Sequence, residues 1–206
     1  MKISNRKTLI LTLLVLLVPL QVFAGSFYTA TLYPKENTED VKSILQGKNF
    51  FICSKAGDYN LVTEEKMDEQ NSAVILDFVK KISLKTEKPV VSYIIHDSDV
   101  LWFVIYKNGK QIFVLDNSAE YFSGGNFVLK GKDEVHPLFK INKKQWKTEI
   151  SKEKFRECVF ADEYLIKILD ILNLPNWVEG IGYSYLSNDE KFVLHLKERG
   201  IIIERY

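Results

Sequence analysis

Residues 96–118 read HDSDVLWFVIYKNGKQIFVLDNS, with acidic clusters at both ends of a hydrophobic, turn-divided stretch. Asp97 and Asp99 lie in the first cluster and Asp116 in the second. Carboxylates gathered at one place could hold a hard cation such as Ca²⁺, Mg²⁺ or Mn²⁺ through oxygen. A carboxyl with a raised pKa beside an ionised partner could instead exchange protons with a substrate. His96 stands next to them as a further base or ligand, although strict strand alternation turns it to the other face. The same residue types also end strands and make turns, because Asp, Asn and Ser side chains bond the local backbone. A partner-binding edge is the third reading of the same cluster.

Whether these groups meet depends on the strands between them. VVSYII, VLWFVIY and KQIFVLD are rich in β-branched and aromatic residues, which predicts a three-stranded antiparallel meander near 90–95, 100–106 and 110–116. Asn108-Gly109 is a strong two-residue hairpin signal, since both positions of a type I′ turn favour positive φ. Counting out from that turn pairs Lys107 with Lys110, Ile105 with Ile112, Phe103 with Val114 and Leu101 with Asp116. Asp99 then falls opposite Ser118, diagonal to Asp116 on one face, at the ~7–8 Å typical of diagonal neighbours. Asp97 has the same parity. From the following loop, residues 117–132, Glu120 could join the acidic edge, with Tyr121 and Phe122 as aromatic contacts for a partner.

Other candidates are more isolated. Asp162 lies on the apolar side of Phe155, Val159, Ile166 and Leu169 if one helix runs through 153–172; otherwise it caps a fresh helix from Glu163. His136 and His195 have no neighbour at metal-ligand spacing. Cys53 sits in no nucleophile motif, and the chain contains no G-x-S-x-G, HExxH, P-loop or dinucleotide fingerprint, so no cofactor is expected.

The N-terminus indicates export. Lys2, Arg6 and Lys7 precede an apolar run at 9–18, and Val22-Phe23-Ala24 offers a peptidase site after Ala24. The run is shorter than the ~20 residues that span a bilayer. Cleavage leaves residues 25–206 and removes three of the 28 basic side chains but none of the 27 acidic ones, for a net charge of −2. No basic stripe remains, which argues against nucleic acid as a partner. Cys53 and Cys158 are the two cysteines, and in an oxidising compartment they form a disulfide candidate.

Elsewhere, the sequence predicts strands at 27–33 and 49–53 and helices at 38–46 and around 75–82. It places a further strand at 182–186, a helix begun by a capping box at Ser187 and stopped by Gly200, and a last strand in IIIERY. With no linker or repeat, the expectation is one α+β domain with a mainly antiparallel sheet. The function expected is that of a periplasmic or secreted bacterial envelope protein that binds another protein, as an inhibitor or immunity-type protein does. A metal-assisted hydrolase using Asp97, Asp99 and Asp116 is the alternative.

Overall fold

Strand periodicity organises the molecule. In the computed structural model, which describes residues 25–117 and 127–206, eight strands form one sheet: β1 (Tyr28–Pro34), β2 (Phe50–Ser54), β3 (Tyr59–Glu64), β4 (Val90–His96), β5 (Val100–Lys107), β6 (Lys110–Asp116), β7 (Val128–Lys130) and β8 (Ile202–Arg205). The spatial order is β7-β6-β5-β4-β1-β3-β2-β8, and every neighbouring pair is antiparallel. The fold is therefore α+β with an antiparallel sheet.

Both faces of the sheet are covered. Along β5, Leu101, Phe103 and Ile105 face one core while Trp102, Val104 and Tyr106 face the other. That is why this strand reads as a continuous apolar run. Helices α1 (Thr38–Ile44) and α2 (Ser72–Ser83) cover the Trp102 face through Val41, Ile75, Phe78, Val79 and Ile82. The Leu101 face is covered by the later helices: α3 (Lys132–Phe139), α4 (Lys143–Glu149), α5 (Lys152–Arg156), α6 (Ala161–Ile171), α7 (Tyr183–Asn188) and α8 (Glu190–Glu198). No helix among the described residues is long and apolar enough to cross a membrane.

The meander forms with its turn as read from the sequence, Asn108 at φ 52° and Gly109 at φ 71°. Its register does not. Lys107 pairs with Lys110 and Tyr106 with Gln111, but Ile105 then pairs with Phe113, leaving Ile112 as an extra residue in a β-bulge. Beyond it, Val104 opposes Val114 and Trp102 opposes Asp116. The slip is one residue, so every side chain after it changes face. Gly131, at φ 78°, makes room for the displaced Ile112 carbonyl, whose oxygen would collide with a Cβ there.

Other expectations need correction. Residues 59–64, to which the sequence assigns no element, form β3. The proposed strand at 182–186 is helix α7, because Tyr183 and Leu186, three apart, both bury one side. Asp68 reaches across 116 residues to accept the Ser184 amide at 2.6 Å near its start. Ser187 does not begin the next helix; Asp189 caps it by accepting from Phe192 N. His136 belongs to α3, with Pro137 inside the helix, rather than to a loop.

Candidate functional site

The turn between β4 and β5 is held from three directions. Asp97 (φ 51°) and Ser98 (φ 59°) both take left-handed backbone, a conformation that short polar side chains tolerate best. Asp99 N closes the turn on the His96 carbonyl at 3.3 Å. Ser98 is its hub. Its carbonyl accepts the Ala161 amide at 2.7 Å, its amide donates to Ser26 O at 3.2 Å, and its Oγ accepts Ser26 N at 2.7 Å. The turn is thereby tied both to the start of α6 and to the segment leading into β1.

The flanks are equally fixed. Gln70 Nε2 donates to the Ile95 carbonyl at 2.7 Å, and its Oε1 lies 2.6 Å from His96 Nδ1. The His96 ring meets Phe27 edge-on at 4.9 Å, and Phe27 N donates to Tyr185 Oη. On the other side, Asn117 accepts from Leu101 N through Oδ1 and donates from Nδ2 to the Asp99 carbonyl. Asn117 thus stitches β5 to the exit of β6.

Asp97 and Asp99 share this turn and both point to solvent. Asp116 does not join them. The bulge at Ile112 sets it opposite Trp102, on the face of the sheet away from Leu101, where it is fully buried. Among the described residues no three His, Cys, Asp or Glu side chains gather where one metal ion could sit. The cluster of Asp97, Asp99 and Asp116 read from the simple register is therefore corrected to a pair on an exposed turn. Glu120, Tyr121 and Phe122 lie outside the described residues.

Exposed apolar groups lie on the two segments that bond this turn. Phe27 is 43 % exposed, Val159 73 % and Phe160 50 %. Phe27 follows Ser26 and Phe160 precedes Ala161, the two residues bonded to Ser98. Of the two readings of 153–172, the interrupted one forms: the chain breaks between α5 and α6, which turns Val159 outwards instead of into the apolar stripe. The acidic pair Asp162-Glu163 is the sequence signal for that break, because carboxylates favour a helix's first turn.

Asp162 sits in that first turn rather than capping it. It is half-buried, and Tyr28 donates its hydroxyl to Oδ1 at 2.6 Å. Burial raises its carboxyl above the ordinary range, against the pull of the Tyr28 hydrogen bond, and the charges of Glu179 and Glu163 raise it further. Deeper in, the Tyr28 ring meets Tyr93 edge-on at 6.2 Å. Tyr93 Oη is fully buried and has no hydrogen-bond partner among the described residues.

The cysteine expectations are also corrected. Cys53 and Cys158 are free thiols. Cys53 is buried in β2 between Leu61 and Ile203, whereas Cys158 follows α5 and donates to the Lys154 carbonyl. Burial pushes the Cys53 thiol up to about 12, so at neutral pH it is protonated and a poor nucleophile.

Comparison with known proteins returns nothing. No family model matches the chain, and no curated protein or solved structure matches it either.

Proposed function

We propose that the protein is exported to the bacterial envelope or beyond and acts there by capturing another protein, as an inhibitor or immunity-type protein does. The observation that carries this reading is the neighbourhood of the 96–99 turn: Phe27, Val159 and Phe160 stand exposed on the two segments that bond Ser98, and Asp97 and Asp99 are exposed in the turn itself. Large apolar side chains cost solubility unless something covers them, and aromatics set among charge supply most of the energy at protein interfaces. The turn carrying them is cross-braced to three other segments, so little ordering entropy opposes binding. The partner's chemistry follows: an apolar depression for Phe160 and Val159, edged by lysine or arginine for Asp99.

The test places a photo-crosslinking residue at position 27, 97 or 160 and recovers the attached protein from the envelope fraction. Affinity for that protein is then measured with wild type and with a variant carrying Asp97→Asn, Asp99→Asn, Val159→Ser and Phe160→Ser. A tenfold or greater loss is expected, with a melting temperature no lower than that of Asp97→Asn alone, since a central aromatic contributes on the order of 2 kcal/mol. Full affinity in the four-site variant overturns the assignment of this surface.

A further inference from the structure

We infer that the working protein begins at Gly25 and that the α-ammonium made by cleavage after Ala24 is held by Asp97; this deepens the export reading and rests on it. Gly25 lies so close to the turn that a Cβ built on it falls 2.6 Å from Asp97 Cα and 2.7 Å from Asp97 C, against the Asp97 carboxylate. No side chain larger than hydrogen fits without moving the backbone. The Asp97 carboxylate lies against the position a Gly25 Cβ would take, and the Gly25 nitrogen is bonded to the same α-carbon, about 1.46 Å from it.

The approach is fixed by its neighbour. Ser26 makes two hydrogen bonds to Ser98, at 2.7 and 3.2 Å, so the segment is clamped on the turn one residue after Gly25. Asp97 makes no ion pair among the described residues. A signal peptidase adding water across the Ala24–Gly25 bond leaves a carboxylate on Ala24 and an ammonium on Gly25. That ammonium supplies a cation beside Asp97, held by backbone rather than by a long side chain, which spares the ordering cost that weakens surface ion pairs. Maturation then also writes part of the rim: it neutralises Asp97 and leaves Asp99 as the turn's net charge.

Two measurements separate the parts. N-terminal sequencing of protein exported with its own leader is expected to read Gly-Ser-Phe-Tyr; any other start overturns the processing site. A double-mutant cycle then compares protein beginning at Gly25 with protein carrying two extra N-terminal residues, each with and without Asp97→Asn. Moving the ammonium or neutralising the carboxylate is expected to lower the melting temperature by about 2 °C, and both together by no more than either alone. Additive losses, or an extension that costs nothing, overturn the pairing. Because neither readout involves partner capture, both stand apart from the fate of the binding surface.

Discussion

Tyr28 donates its hydroxyl to the Asp162 carboxylate at 2.6 Å, joining the start of β1 to the first turn of α6 across 134 residues. Beside this pair Ala161 bonds Ser98, so the same helix end braces both the core and the exposed turn.

The pair carries a pH signature. Burial holds the folded Asp162 carboxyl above its ordinary value of 3.8. The stability attached to its proton is therefore fully present below that value and is lost as pH rises through the higher folded pKa. Thermal melts of wild type and Asp162→Asn, followed from neutral pH downwards, are expected to differ progressively in wild type's favour as Asp162 takes up its proton. A difference that stays constant with pH would exclude the linkage.

Tyr93 gives a prediction of opposite sign to most core substitutions. Its buried hydroxyl has no partner among the described residues, and an unsatisfied polar group costs roughly 1–3 kcal/mol to bury. Tyr93→Phe keeps the ring and is expected to raise the denaturation midpoint by the equivalent of about 1 kcal/mol. Loss of stability would mean that the hydroxyl is bonded after all.

The β-bulge can be probed through the glycine that accommodates it. Gly131→Ala sets a Cβ against the Ile112 carbonyl and strains a φ of 78°, whereas Gly47 has the same φ with open space around it. Gly47→Ala is expected to cost about 1 kcal/mol from backbone strain alone, and Gly131→Ala at least twice that. Equal losses in chemical denaturation would remove the contact from consideration.

Charge and apolar contacts on the rim are expected to separate kinetically. Neutralising Asp99 slows association and flattens its salt dependence, since exposed charges steer encounter. Phe160→Ser chiefly speeds dissociation, in the way that buried anchors set complex lifetime. Surface-based kinetics at two ionic strengths distinguishes the two effects, and a charge variant that acts only on dissociation would contradict the steering role.

Much of the architecture is legible in the residues. The β-branched and aromatic runs of β4 to β6, the Asn108-Gly109 turn and the α2 stripe of Ile75, Phe78, Val79 and Ile82 report local physics, and each forms where read. What escapes is non-local or one residue deep. Ile112 looks like any strand residue, yet its bulge reverses the face of Asp116 and dissolves the three-carboxylate cluster. Tyr183 to Leu186 favour strand by type but fold as a helix that buries Tyr183 and Leu186 on one side, with Asp68 accepting the Ser184 amide near its start. Phe27 and Phe160 become a surface only because Ser98 bonds the residues beside them, 72 positions back in one case.

The division of the two cores along the chain bears on synthesis. Residues up to Asp116 lay down the first six strands and both helices of the Trp102 side, whereas the cover for Leu101, Phe103, Phe113 and Leu115 comes from residue 132 onwards. A partly made polypeptide therefore carries a broad greasy face with nothing upon it. Chains stalled before α6 are candidates for aggregation or chaperone capture, and the closing pairing of β8 with β2 cannot occur until the final residues have emerged.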